Sequence, residues 1–320
     1  MASAARAAAA WGCQASDVDT LLAHPNVDIV LILTPPATHV PLALRALDAG
    51  KHVYLEKPVA QNVAQARDLA NWAAGAGLRV GCAPDTFLGG AFQAARAAIA
   101  QGRIGTPISA SMIMADGGPN RRLSNPEPLF APSAGVIRDM APYYIMQILC
   151  LLGPCRSVKA SMSWGSSTRT IETGPRADAT FPVDTPTTYE GSLEMASGVF
   201  VTFRFSWDAH DAGQKAICVN GTSGRIHLPN PNWFGGAVSL EGVDGAQSVV
   251  DVMAHRYGAP NLRLSDGSLV ADYRGAGLDD MAAAIKSGIP HAASLALSTH
   301  VIEIVDAIIR SAETGVKQGV

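Results

Sequence analysis

The chain has 320 residues, of which 48% are hydrophobic and 16% charged; this is an ordered globular balance, with enough length for one large or two medium cores. A net charge of −3 offers no basic footprint to a phosphate backbone, which argues against nucleic acid as a partner. No run approaches the ~20 apolar residues of a membrane span, and the Ala-rich start, interrupted by Arg6, lacks the Leu- or Val-type stretch of a signal peptide.

The first quarter alternates strand and helix signals. Residues 28–34 form a continuous apolar run stopped by Pro35 and Pro36, the pattern of a parallel strand buried on both faces. Val40, Leu44 and Leu47 follow at helical spacing, and Gly50 is a natural helix stop. Residues 52–56 are a second short strand ended by Pro58. Asn62 with Gln65 three residues on resembles a capping box, opening a helix that runs to about Ala74. Residues 79–83 are a third strand. Strand–helix–strand–helix–strand at this spacing predicts a parallel sheet with right-handed crossovers.

After Pro84 the pattern changes. Residues 90–101 read as a helix, 108–114 as a strand and 116–135 as a long loop rich in Gly, Pro, Asn and Ser. Residues 136–151 read as one amphipathic helix. From 156 to 241 strand signals follow one another, which predicts an antiparallel sheet. Helices at about 277–287 and 296–314 close the chain. The fold class is therefore α/β: a partial Rossmann-type parallel sheet domain over residues 1–84, then an α+β domain with a large open antiparallel sheet over residues 85–320.

Ligands of an open parallel sheet bind beyond the carboxyl ends of its strands. Here those ends are Thr34-Pro35-Pro36 with His39 close behind, Glu56-Lys57-Pro58, and Pro84-Asp85-Thr86. On position alone Lys57 also reads as an ordinary surface lysine. Asp139 and Tyr143 lie four residues apart on the predicted helix, a spacing that also suits an ordinary surface contact. The five cysteines have no C-x-x-C spacing and read as reduced thiols of a cytoplasmic protein. The histidines are scattered, so no zinc site is expected; His210, His227, His255, His291 and His300 read as solvated or packed. Gly221-Thr222-Ser223-Gly224 is a turn between strands.

Together these segments resemble the Gfo/Idh/MocA oxidoreductase family, whose members include glucose–fructose oxidoreductase and inositol dehydrogenase. The resemblance rests on Asp28 through Thr34-Pro35-Pro36 with His39, on Ala49-Gly50-Lys51-His52-Val53-Tyr54-Leu55-Glu56-Lys57-Pro58, on Gly102-Arg103-Ile104-Gly105, on Asp139-Met140-Ala141-Pro142-Tyr143, and on Gly221 to Gly224. The string ending Glu56-Lys57-Pro58 is highly specific and the others are supportive. The resemblance implies transfer of a hydride between a secondary alcohol of a sugar or polyol and NAD or NADP. It places Thr34, Pro35, His39, Glu56, Lys57 and Asp85 at the cofactor, and Lys57, Asp139 and Tyr143 around the reacting carbon. It also implies a homo-oligomer formed through the C-terminal sheet. The family motif commonly has histidine at the position of Tyr143, and a tyrosine variant is a recognisable branch.

No G-x-G-x-x-G loop is present. The resemblance implies a strand, that loop, a helix and a second strand ahead of the helix at residues 4–11, a missing segment of roughly thirty to forty residues. The chain alone is then expected to hold NAD(P) weakly or not at all, to show no dehydrogenase activity and to be poorly soluble. A cofactor-free remnant serving as a scaffold or dimerisation module is the second reading.

Overall fold

A computed structural model describes residues 2–209 and 214–320; His210 lies outside the described residues. The chain divides into two compact units, one of residues 1–83 with 277–299, the other of residues 84–276 with 300–320. Residues 277–299, which the sequence places with the second domain, thus group with the first.

The first unit opens with helices α1 (Ala2–Trp11) and α2 (Val18–Ala23), followed by β1 (Ile29–Ile32), α3 (His39–Asp48), β2 (His52–Leu55), α4 (Val63–Ala76) and β3 (Val80–Cys82). The three strands form one parallel sheet in the order β1-β2-β3, as expected. Helix α3 buries His39, Val40, Ala43, Ala46 and Leu47, a stripe at three- and four-residue spacing that faces the sheet side of the unit. Helix α4 starts where the Asn62 side chain accepts the Gln65 N–H at 3.0 Å and stops at Gly77, which takes φ 65°. The first strand departs from expectation. Leu31 and Leu33, which share one face of the strand by its period of two, are 46% and 66% exposed, whereas Ile32 on the other face is buried, so the run is covered on one face; among the described residues β1 pairs with β2 alone.

The second unit holds α5 (Gly90–Ala100), β4 (Pro107–Ala115), α6 (Val136–Asp139), α7 (Ala141–Leu152) and β5 (Cys155–Ser163). A small hairpin of β6 (Thr168–Thr170) and β7 (Thr180–Pro182) precedes β8 (Thr188–Met195), β9 (Phe200–Ser206), β10 (Gln214–Gly221), β11 (Gly224–Leu228), β12 (Val238–Gly242) and β13 (Gln247–Val250). The short pair β14 (Leu262–Arg263) and β15 (Leu269–Val270) leads to α8 (Ala276–Ser287), α9 (Leu295–Thr314) and β16 (Gln318–Gly319). Among the described residues nine strands form one sheet in the order β13-β12-β11-β10-β4-β9-β8-β5-β16. All its pairs are antiparallel except β4 with β9, which run parallel, so the large sheet is mixed. Helix α7 packs on β4. It contributes Tyr144, Ile145 and Ile148 to a core shared with Met112, Met114, Phe203 and Phe205, all at most 4% exposed. Each such side chain gains about 1.5–3 kcal/mol by leaving water.

The predicted single helix over 136–151 is two helices meeting at Met140. Pro142 has no N–H to give the carbonyl of Arg138, so the ladder is interrupted there, and Tyr143 N–H bonds Met140 O at 3.2 Å instead. Asp139 therefore ends one helix and Tyr143 stands in the first turn of the next.

Candidate active site

In the first unit the register pairs Ile32 with Leu55 and Leu55 with Cys82, so the three strands end level and whatever follows them emerges on one edge. Beyond β1 come Thr34 and Pro35, both exposed; beyond β2 come Glu56 and Lys57, both half-buried. Glu56 N–H bonds Ile32 O at 2.9 Å, which extends the β1–β2 ladder to the foot of Lys57. The Lys57–Pro58 peptide is cis.

His39 joins these two turns. It is fully buried, with Nε2 2.7 Å from the carbonyl oxygen of Thr34 and Nδ1 2.8 Å from that of Pro58. Both ring nitrogens face backbone carbonyl oxygens, so neither is turned towards a ligand; a neutral imidazole donates to one of the two carbonyls, according to its tautomer. The resemblance puts His39 at the cofactor; the structure puts it behind the turns that form the edge. On the outer side Thr38 Oγ1 lies 2.7 Å from Thr34 Oγ1 and 2.8 Å from Pro35 O, which closes the turn after β1.

The rest of the specific string serves the fold. Gly50 takes φ 74° where α3 ends, and its N–H bonds Leu47 O. His52 Nδ1 accepts the Arg79 N–H at 2.9 Å and so clips β2 to the start of β3. Burial and the nearby Arg79 charge hold the His52 imidazole below its ordinary value.

Exposed Thr34 and Pro35 beside half-buried Glu56 and Lys57 give a polar strip with a cation and an anion beyond the carboxyl ends of the strands, where an open parallel sheet takes its ligands, and such a strip suits the polar, ribose-bearing part of a dinucleotide. The turn after β1 does not fit a pyrophosphate, because Pro35 and Pro36 have no N–H to offer it.

In the second unit, Asp85 is only 3% exposed and precedes the 3-10 turn Thr86–Leu88; its side chain presents almost no surface to a ligand. Asp139 and Tyr143 are each half-buried. The neighbouring Tyr144 is buried against Phe205, ring centroids 5.5 Å apart, and burial raises its phenol far above the ordinary value. Of the two adjacent tyrosines, Tyr144 belongs to the core and Tyr143 keeps a partly open face. A residue without any spacing signal in the sequence joins it: the Arg274 guanidinium lies over the Tyr143 ring, 6.0 Å from its centroid.

The loops after β4 and before β6 meet in this unit and line a cavity of about 460 Å³ with Asn120, Arg121, Ser166, Thr168 and Glu172. Arg169 ties the loops together, bonding Gly117 O and Trp207 O, each at 2.7 Å, and Asp208 at 2.6 Å. Asp208 in turn accepts the hydroxyls of Thr187 and Thr188, each at 2.7 Å.

The two glycine motifs also meet. Ser223 N–H bonds Ile104 O at 2.9 Å and Thr222 N–H bonds Thr106 O at 3.0 Å, so Gly102–Gly105 and Gly221–Gly224 pack as paired turns. Among the described residues no group of three or more His, Cys, Asp or Glu could hold a metal ion. No described helix is long and apolar enough to cross a membrane.

A profile described as the oxidoreductase family, NAD-binding Rossmann fold, matches residues 1–83, and one described as the GFO/IDH/MocA C-terminal domain matches residues 92–227. The 1,5-anhydro-D-fructose reductase of Ensifer adhaerens is 30% identical over 221 residues, covering 67% of this chain and 61% of that protein. An NAD-binding oxidoreductase from Klebsiella pneumoniae superposes with a TM-score of 0.81 at 23% identity, covering 100% of this chain and 87% of that one. Levoglucosan dehydrogenase in complex with NADH and L-sorbose superposes with a TM-score of 0.80 at 24% identity, with the same two coverages. These two structures share the fold.

Proposed function

The chain belongs to the Gfo/Idh/MocA oxidoreductase family, and from that premise we propose that its natural product is an NAD(P)-dependent oxidoreductase acting on a secondary alcohol of a sugar or polyol. The observation that carries this reading is the edge where Thr34-Pro35 and Glu56-Lys57 emerge side by side, their backbones held together by His39. A relative that reduces 1,5-anhydro-D-fructose and a fold neighbour that holds L-sorbose support the substrate class.

Bound NAD(P) supplies the hydride chemistry. In the proposed mechanism Lys57 donates a hydrogen bond to the reacting hydroxyl oxygen and stabilises the negative charge that develops on it. Tyr143 receives the hydroxyl proton, and Asp139 accepts hydrogen bonds from neighbouring substrate hydroxyls. A homo-oligomer formed through the nine-stranded sheet is part of the same proposal, and light scattering of the purified protein tests it.

The functional test is NAD(P)H fluorescence titration of the natively expressed protein, followed by turnover assays with ketoses, anhydrosugars and inositols in both directions. Cofactor binding with turnover of at least one such substrate supports the reading. A folded protein that binds neither NADH nor NADPH supports the non-catalytic scaffold instead.

A further inference from the structure

A tyrosine relay faces a chemical difficulty, because a free phenol has a pKa of about 10 and keeps its proton at neutral pH. The second unit holds a cation suited to that difficulty. The Arg274 guanidinium carbon lies 6.0 Å from the Tyr143 ring centroid, and 5.7 and 5.9 Å from those of Trp233 and Phe234. Although its side chain is 44% exposed, the guanidinium is held. Nη2 donates to Asn232 O at 2.8 Å and to Asn232 Oδ1 at 3.1 Å, and Nε lies 2.8 Å from Asp272 Oδ1. The hydrogen bonds to Asn232 and the ion pair with Asp272 together hold the guanidinium against the aromatic surface.

A cation over a ring face is attracted to the ring quadrupole. It is attracted more strongly to a phenolate, which carries a full negative charge, so it eases loss of the proton. Other charges act on the same ring. Asp272 pairs with Arg274 and weakens its field. Elements packed against α7 include α6, the 3-10 turn Thr86–Leu88, β4 and, through Phe205 against Tyr144, β9. Charged groups on or beside them are Arg138, Asp139, Asp85, Asp116 and Arg204, the last paired with Glu190 at 3.1 Å, and Arg96 of α5 acts on Cys150 of α7. Arg138 is paired with Asp306 at 3.0 Å and Asp116 with Lys215 at 2.7 Å, so each is largely offset. Asp139 and Asp85 add negative charge to the elements beside Tyr143, of the sign opposite to that of the guanidinium over its ring.

We infer that Arg274 is a positioning residue for Tyr143: it holds the ring and lowers the pH at which the phenol releases its proton. The inference gains its catalytic meaning from the proposed relay role of Tyr143. In that role the substrate O–H bond breaks as the phenol O–H bond re-forms, and no further reactant is needed.

The test reads Tyr143 directly. In protein labelled at tyrosine 13Cζ, Tyr143→Phe assigns the signal by its disappearance, and the remaining variants are titrated without substrate or cofactor. Arg274→Gln should raise the Tyr143 midpoint by about one pH unit, Arg274→Lys should restore at least half of that shift, and Asp272→Asn should move the midpoint down. An unchanged midpoint in Arg274→Gln overturns the inference, as does an Arg274→Lys shift as large as that of Arg274→Gln, which would mark a structural effect with no dependence on charge. Should Arg274→Gln fail to fold, Asp272→Asn and Arg274→Lys decide the matter alone: no downward shift in the first, or loss of the low midpoint in the second, overturns it. Because the midpoint is read on the free protein, a rate profile that ignores the shift would retire the relay and leave the Arg274–Tyr143 coupling standing.

Discussion

Gly105 lies against Thr222 so closely that a Cβ at position 105 would fall 2.2 Å from the threonine Oγ1 and 3.0 Å from the backbone nitrogen of Ser223. Gly105 also takes φ 71°. Gly102, three residues earlier, takes φ 74° but faces open space. The two positions therefore separate backbone strain from crowding. Gly102→Ala should cost about 1 kcal/mol, the left-handed penalty alone. Gly105→Ala should cost about 2–4 kcal/mol, because the paired turns must also part. Urea denaturation of the two variants checks this, and equal losses would show that the close approach is relieved by a small shift.

Removing the His39 ring should loosen both turns of the candidate edge at once. His39→Ala removes the ring packed between the carbonyls of Thr34 and Pro58, takes the donor from one of them and opens a cavity, at a cost of about 2–4 kcal/mol. Hydrogen exchange should then rise in residues 33–38 and 56–59 while the β2–β3 ladder stays protected. Faster exchange spread evenly over the first unit would mean that His39 supports the core and has no special hold on the turns.

Much of this architecture is legible in the chain because its signals are local. The apolar run at residues 28–34, the Asn62 cap and the glycines after α3 and α4 each act within a few residues of where they stand. Where local reasoning stops, so does legibility. Pro142 breaks the hydrogen-bond ladder at a carbonyl four residues upstream, and the apolar periodicity across Met140 conceals the break. The orientation of His39 depends on a carbonyl contributed by Pro58, beyond the next strand. Arg274 reaches Tyr143 from a distant loop, and residues 277–299 return to a unit whose other members end at residue 83. The candidate edge was readable because strand order and level strand ends follow from a parallel alternation. The residues that hold the edge and tune its neighbours were not.

Acid should weaken the first unit through two histidines. Burial, together with the nearby Arg79, holds His52 and His291 below the ordinary value of about 6.5. His52 Nδ1 accepts the Arg79 N–H, a bond that protonation at Nδ1 abolishes, and His291 Nε2 lies 3.2 Å from Val80 O. With folded values depressed, the unfolded chain binds protons first as pH falls. The stability these groups contribute is complete above about 6.5 and declines as pH drops through it towards the folded values. Thermal melts from pH 8 to pH 5 should show a falling midpoint, and His52→Asn should flatten that slope at the cost of a lower midpoint at pH 8. A slope identical in wild type and His52→Asn would remove His52 from the account.

Lys57 offers the sharpest separation of structure from chemistry. It follows a strand whose Val53, Tyr54 and Leu55 are at most 4% exposed, so its backbone is set by the sheet, while its own side chain is half-buried at the edge. Replacing the ammonium with a methionine of similar length should therefore leave the melting midpoint within a degree or two. If Lys57 stabilises charge on the reacting oxygen, the loss appears where that charge develops. The kcat of Lys57→Met in the natively expressed enzyme should fall by roughly 10²–10³, as for loss of one oxyanion-type donor, with KM changing far less. Lys57→Arg tests the geometry, since a planar guanidinium keeps the charge but cannot present it as a compact point. A KM effect without a kcat effect would make Lys57 a ground-state binding residue. Unchanged kinetics in Lys57→Met would return it to the status of a surface lysine and remove the centre of the proposed mechanism.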